Sequence, residues 1–365
     1  MGPSCVGIRF FPKLIDSRNP YWRILQTGLE GYGLRFVDAD EPRYGLRWLC
    51  RYRSEIQVIH FHYIQRFYAY EGTNARLRWV LRFARNLVVA RSLGYRTVFT
   101  LHNLTPTYPL IPRWVDYLGH WVVANLTDAV IAHCAYARQL LARRYGRRRN
   151  VHVVNHPHYI DVYPHDISRE GAREALGFPR DRLVFLFLGG IRPNKGIETL
   201  VTAFTQLADV NLSLLIAGKP WRPLEYVEAL EHAVSRDPRI ILHKRFVPDE
   251  ELQVYFGASD VVVLPFERIL SSGSAILAMG FARPVVAPAM GCLLELIPEG
   301  AGILYDPSDP SGLLRALSHC VAIRPALMEI GEQARATVSR YSAQSVAEDT
   351  LRAYGMAARG QGNTS

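Results

Sequence analysis

The segment LVFLFLGGIRPNKGIETLVTAF passes from an apolar run through a glycine turn and two cations into a helical pattern, an arrangement suited to holding a diphosphate. Gly189 and Gly190 let backbone approach an anion closely, and the helix start offers free N–H groups and a positive dipole end. Arg192 and Lys195 add full charges. The plainer reading is a strand–turn–helix connection with solvated cations. A second helix start has similar character. Ser271, Ser272, Gly273 and Ser274 open an apolar helix after LPFERIL, either as ordinary N-capping or as hydroxyls and N–H groups offered to a phosphate. Two such starts in one half of the chain suit a ligand with several phosphate contacts.

The first half offers different chemistry. In TLHNLTP, His102 and Asn103 stand just past a strand end. An imidazole with its ordinary pKa of about 6.5 can there accept a proton or hydrogen-bond a hydroxyl, the alternative being a structural cap on the strand. His60 and His62 alternate in HFH and are assigned to opposite faces of their strand, so at most one of them, His62, addresses a ligand. His156 and His158 lie near the join of the two halves, and Asp16, Asp38 and Asp40 are further candidate bases. No residues are spaced as a metal site: Asp38-Ala39-Asp40 is a formal D-x-D, but it ends a strand of the first half.

Positioning these groups needs a scaffold that lines up strand ends. Short β-branched and aromatic runs alternate with longer amphipathic stretches, which predicts an α/β fold built of two Rossmann-like units. Strands are expected at 5–10, 34–38, 56–62, 97–102, 129–133 and 151–155, then at 183–188, 212–217, 240–243, 261–265, 284–287 and 302–305. Ligands of open α/β sheets bind beyond the carboxyl ends of strands, which draws His60, His62, His102 and His156 toward one edge. A length of 365 residues suits two domains. Broken periodicity in HPHYIDVYPHDISREGAREALGF puts a linker near 158–167, before a helix capped by Ser168.

Composition, at 49% hydrophobic and 21% charged, excludes a disordered chain. The net charge of +10 suits phosphate-bearing partners. The five cysteines show no C-x-x-C spacing, and neither a signal-peptide core nor an apolar stretch of about 18 residues is present, so a cytoplasmic location without membrane spans is expected. In ARLRWVLRFARNLVVARSLGYR, Arg78, Arg82 and Arg85 are set opposite Leu77, Leu81 and Leu87, with Trp79 and Phe83 at the boundary. A second basic run comprises Arg143, Arg144, Arg147, Arg148 and Arg149. Both stretches suit an anionic bilayer; packing on the domain or simple solvation are the alternatives.

Taken together, LGGIRPNKG, LLIAGKP, FVPDEELQVYFGASDVVVLPF, AMGFARPVVAP and Glu295 resemble the donor domain of GT-B glycosyltransferases, and HNLTP and DAVIAHCAYAR extend the likeness into the first half. The resemblance implies two Rossmann-like domains facing across a cleft. Residues 1–162, with a returning C-terminal helix at 342–358, would bind the acceptor, and residues 163–341 the nucleotide sugar. It implies diphosphate contacts from Arg192 and Lys195 and base or ribose contacts near Lys244–Val247, Arg245 among them, with Gly190, Ser271–Ser274 and Glu295 completing the donor set. Retaining members carry two glutamates where this chain has Ile269 and Leu277. The variant SSGSAILAMGFARPVVAP resembles instead bacterial exopolysaccharide enzymes, including β-mannosyltransferase-like proteins that use GDP-mannose. On that likeness Glu267 joins His102 as a catalytic candidate, with His62 and Asn103 on the acceptor side. The expected activity is metal-independent, cofactor-free transfer of a hexose, from GDP-mannose first and UDP-glucose next, to a glycan or lipid-linked acceptor at the inner face of the cell membrane. A nucleotide-sugar epimerase and a basic nucleic-acid-binding protein are the rivals. The second lacks a reading motif, so no nucleic-acid partner is expected.

Overall fold

The computed structural model describes residues 6–12, 20–38, 44–68, 77–103 and 112–357. Two compact units emerge, one of residues 1–157 with 341–365 and one of residues 158–340. The first unit begins β1 (Gly7–Phe11), α1 (Pro20–Glu30), β2 (Arg35–Phe36), α2 (Leu46–Arg51), β3 (Val58–Phe61), α3 (Leu77–Ser92) and β4 (Arg96–Leu101). It continues α4 (Arg113–Leu126), β5 (Ala129–Ala132), α5 (Ala135–Tyr145) and β6 (Val151–Val153). The second begins α6 (Arg169–Leu176), β7 (Leu183–Leu188), α7 (Ile197–Thr205), β8 (Leu212–Ala217), α8 (Leu224–Val234), β9 (Ile240–His243), α9 (Leu252–Ala258) and β10 (Val261–Val263). It ends α10 (Gly273–Gly280), β11 (Val285–Pro288), α11 (Leu293–Leu296), β12 (Gly302–Tyr305), α12 (Gly312–Ala322) and α13 (Leu327–Ser339); the last helix, α14 (Ala343–Tyr354), belongs to the first unit.

Both sheets are parallel, ordered β2-β1-β3-β4-β5-β6 and β12-β11-β10-β7-β8-β9. The strands LVFLFL and LSLLIA are apolar throughout because helices cover both faces. Chain direction across the sheet reverses between β1 and β3 in the first unit and between β7 and β10 in the second, so each sheet has a switch point where loops at the carboxyl edge part and leave a ligand site. The second unit has the Rossmann strand order and the first a flavodoxin-like one.

Helix α14 closes one face of the first sheet. Val346, Leu351 and Tyr354 pack with Ile8, Trp22 and Leu25, the Ser342 hydroxyl accepts from the Ser345 amide at 3.1 Å, and Gly355 ends the helix at φ 74°. In the second unit Asp260 accepts from the Val184 amide and from buried Arg173, each at 2.7 Å, and also from Arg169, which ties α6 to the start of β7. One amphipathic expectation fails. Leu87 is buried, but Leu77 and Leu81 are exposed beside Arg78, Arg82 and Arg85 rather than packed away from them.

Candidate active site

In the second unit the loop after β7 meets the loop after β10 at the switch point. Lys195 Nζ lies 4.5 Å from the ring centre of Phe266, and a Cβ on Gly196 would fall 1.9 Å from the Pro265 carbonyl oxygen. Gly196 also holds φ 69° where it caps α7, so both space and backbone demand glycine. Gly190 is restricted differently: a Cβ there would stand 2.9 Å from the indole nitrogen of Trp221, whose ring centre also lies 5.9 Å from the Arg192 guanidinium carbon.

Burial, and then the neighbouring Arg192, lower the Lys195 ammonium to about 8. Among the described residues no carboxylate pairs with Lys195 to offset that cost. A half-buried cation set against another cation gains stability when an anion arrives.

The remaining donor-side candidates divide. The buried Ser272 hydroxyl accepts from the Ala275 amide at 3.1 Å, which is the capping role, while its proton can still be donated. Ser271, Gly273 and Ser274 are half-buried at the same helix start, and Glu295 is exposed on the one-turn helix α11. Arg245 is engaged by Glu251, Nη1 to Oε1 at 3.1 Å with a second contact from Nη2, and donates to Tyr255 Oη at 3.0 Å. Glu267 is exposed after β10 and contributes, behind burial and Glu198, to raising the Tyr226 hydroxyl.

The first unit gathers histidines. His62, His102, His133 and His156 follow β3, β4, β5 and β6 in turn, neighbouring parallel strands, so they form a row along the carboxyl edge. His133 Nδ1 is 2.9 Å from the Val154 carbonyl oxygen, His133 Nε2 is 3.2 Å from His102 Nδ1, and His102 Nε2 is 3.0 Å from His62 Nδ1. A carbonyl only accepts, so His133 carries its proton on Nδ1; with neutral rings, His102 Nδ1 and His62 Nδ1 must then be the donors. The chain ends on the lone pair of His62 Nε2, a buried atom with no hydrogen-bond partner among the described residues.

Neutrality follows from burial, which lowers His133 to about 4 and, with His133 as a further positive neighbour, His156 and His60 to about 3. His62 and His102 are also pulled well below 6.5 by burial first and then by neighbouring imidazoles. The ordinary pKa expected of His102 is therefore corrected, as is the expectation that it meets a ligand through an open nitrogen, since both ring nitrogens are engaged along the row. Tyr63 stacks on it with ring centres 5.0 Å apart.

The opposite-face assignment of His60 and His62 is corrected too. Strand side chains repeat every two residues, so positions 60 and 62 share a face, and their ring centres are 4.1 Å apart. His60 Nδ1 meets Tyr354 Oη of α14 at 2.8 Å and Nε2 meets Thr100 Oγ1 at 2.7 Å, which makes it a tie for the last helix. Asn103 is exposed beside His102, whereas His158 lies in the second unit and accepts from the Ile160 amide at 3.2 Å. Asp38 accepts from buried Arg9 at 3.2 Å; Asp16 and Asp40 lie outside the described residues. His133 was not singled out from sequence, although IAHC repeats the strand-then-histidine pattern of TLHN. Among the described residues no group of three or more His, Cys, Asp or Glu is arranged to hold a metal ion.

The fold matches solved glycosyltransferases along nearly its whole length. Sucrose-phosphate synthase from Thermosynechococcus elongatus superposes with a TM-score of 0.74 at 19% identity, covering 96% of this chain and 98% of that one. Anabaena HepE in complex with UDP and glucose gives 0.71 at 18%, covering 96% and 99%. Residues 182–322 match the model of glycosyl transferases group 1. The chain is a glycosyltransferase of GT-B fold with a glycosyl transferases group 1 domain. This glycosyltransferase is similar to the GDP-mannose:glycolipid 4-beta-D-mannosyltransferase of Xanthomonas campestris pv. campestris, 29% identical over 319 residues, 84% of this chain and 81% of that protein. It is also similar to the D-inositol 3-phosphate glycosyltransferase of Xylanimonas cellulosilytica, 28% identical over 251 residues, 66% and 60% of the two chains. Among its described residues no helix is long and apolar enough to cross a membrane.

Proposed function

We propose that the enzyme transfers a hexose from a nucleotide diphosphate sugar, GDP-mannose before UDP-glucose, to a lipid-linked glycan, without a metal. The observation that carries this is Lys195 at the switch point of the group 1 domain, an ammonium with no carboxylate partner among the described residues, set beside Arg192 and the start of α7. Those groups suit the charge that develops on a departing diphosphate. The donor preference rests on the likeness to the Xanthomonas glycolipid mannosyltransferase.

The second unit is read as the donor domain and the first as the acceptor domain. In the first, the lone pair of His62 Nε2 accepts a hydrogen bond from a hydroxyl of sugar or acceptor, while His102 and His133 fix the tautomer and orientation of that ring. Glu267, Ser271, Ser272, Gly273, Ser274 and Glu295 supply donor contacts around the cations. The enzyme works peripherally, at the inner face of the cell membrane.

Melting temperature measured with GDP-mannose, UDP-glucose and the free nucleotides tests the donor, because a ligand at a hundred times its Kd stabilises by about 2.7 kcal/mol. The preferred donor should then support transfer to a lipid-linked acceptor in EDTA. No shift with any nucleotide would remove the donor site. Loss of turnover that magnesium or manganese restores would remove the metal-free reading, and turnover of the sugar without an acceptor would favour an epimerase.

A further inference from the structure

Helices α3, α4 and α5 connect β3 to β4, β4 to β5 and β5 to β6, steps that all run in one direction across the sheet. Right-handed crossovers of this kind place the three helices in one layer on one face. Helix α4 packs on both neighbours, and Tyr117 Oη donates to the Arg144 carbonyl of α5 at 2.9 Å.

The outward side of this layer is not the polar face of a solvated helix. On α4, Trp114 is 60% exposed and Tyr117 and Trp121 are exposed with it; at 3.6 residues per turn the three positions fall within about 60° of arc. On α3, Leu81 and Val88 are 59% and 52% exposed and Leu77 is exposed beside them, the three lying within about 40°. Apolar surface gathered in this way marks a contact site rather than chance exposure.

Charge indicates what the contact is. The three helices contain eight arginines and a single carboxylate, Asp116, which is buried and accepts from Tyr68 Oη at 3.0 Å. The outward surface of the layer is therefore cationic and apolar, with no exposed carboxylate. A nucleic acid would use the arginines but leave leucine and valine facing water. A second copy of the chain would set arginine against arginine.

We propose that this layer seats on an anionic lipid bilayer, with Trp114, Tyr117 and Trp121 at headgroup level, Leu77, Leu81 and Val88 toward the acyl boundary, and the flanking arginines on lipid phosphates. The inference deepens the lipid-linked acceptor reading but has its own readout. Attraction by exposed charge fades with salt, whereas apolar seating persists.

The full chain should co-sediment with phosphatidylcholine vesicles that contain phosphatidylglycerol, and part of that binding should survive about 0.5 M salt, where the Debye length is only a few ångström. Trp114→Ser with Trp121→Ser should lower the salt-resistant partition about tenfold or more, with melting temperature and nucleotide affinity held at wild-type values. Arg82→Gln with Arg85→Gln, which removes no buried group, should weaken low-salt binding by about fivefold per residue. Failure to bind anionic vesicles at low salt overturns the proposal. So does binding that salt abolishes completely and the tryptophan pair does not affect, and so does a concentration-dependent dimer that the tryptophan pair disrupts. An enzyme that binds vesicles but transfers sugar only to a lipid-free acceptor would leave this surface standing and remove the lipid-linked acceptor reading alone.

Discussion

At the carboxyl edge of the first sheet the titratable rings are held neutral, whereas at the corresponding edge of the second a cation persists. Burial takes His60 and His156 to about 3 and His133 to about 4, while Lys195, lowered only to about 8, remains charged at neutral pH. The first edge answers its desolvation by pairing ring to ring in a fixed direction; the second leaves Lys195 without a carboxylate partner among the described residues. The Lys195 site stands where its doubly wound sheet reverses its order, and the histidine row starts at the same point of the first sheet, with His62 after β3, and runs on to β6. Topology thus sets where a ligand would go, and on the proposed reading the side chains suit a hydroxyl at the first edge and a phosphate at the second.

The comparison breaks most visibly if the histidine row proves structural only. His62→Phe keeps an aromatic ring in place but removes the terminal lone pair, and His102→Ala cuts the row behind it. Each should lower turnover by about 10²- to 10⁴-fold, the usual scale for a group that handles a proton or a developing charge. Steady-state kinetics beside nucleotide titration checks this: affinity for the nucleotide should be unchanged, because on the proposed reading the cations of the other unit would hold it. His133→Phe, which leaves His102 without its acceptor, should cost less than either. Near-full turnover in a folded His102→Ala enzyme would return the row to the fold and move attention to Glu267.

Acid sharpens the same contrast. Unfolded histidines take up protons below about pH 6.5, whereas His133 in the folded state does so only near 4 and His60 and His156 near 3. The unfolded chain then binds more protons, so stability falls as pH drops from about 6.5 toward these values, by up to about 1.4 kcal/mol per pH unit for each histidine. Denaturant unfolding followed from pH 7 to pH 5 should show that loss. A flat profile would mean that the rings titrate normally and the neutral edge does not exist.

Much of this layout was legible in the sequence. The bounds of β7, β8, β9 and β12 match the expected strands, because continuous apolar runs between turns leave little choice of register. Strands β3 and β6 are shorter than expected, although the His62 and Val154 amides just past them still donate to the Phe11 and Ala132 carbonyls. What sequence could not carry was contact between distant segments. Trp221 over Gly190 and Pro265 over Gly196 decide why glycine stands at each position, and neither pairing has a local signature. The Arg245–Glu251 pair spans a loop and has no helical spacing to announce it. The sharing of a face by His60 and His62 was readable from the two-residue period of a strand. So was the stripe of Trp114, Tyr117 and Trp121 from helical spacing, but periodicity alone does not tell an exposed apolar stripe from a buried one.

The last test bears on the charged edge. Lys195→Ala and Arg192→Ala should each weaken binding of a nucleotide diphosphate by about 1.5–3 kcal/mol, roughly ten- to a hundredfold, as expected for loss of a charge-assisted hydrogen bond. Proton linkage separates this from mere loss of packing. Lys195 is lowered to about 8 in the free protein by burial and Arg192, and a bound diphosphate would raise it again. Binding should therefore take up a proton above pH 8 and weaken by up to about tenfold per pH unit as pH rises further. Lys195→Arg keeps the charge at every accessible pH, so its affinity should stay level over that range, while Arg192→Ala should keep the slope and shift its onset upward because a neighbouring cation is gone. Calorimetry from pH 7 to pH 10 in buffers of different ionisation enthalpy reads both the affinity and the proton count. A wild-type affinity that ignores pH across that interval would mean that Lys195 does not contact the diphosphate, and the donor site would have to be sought around Arg245 and the start of α10.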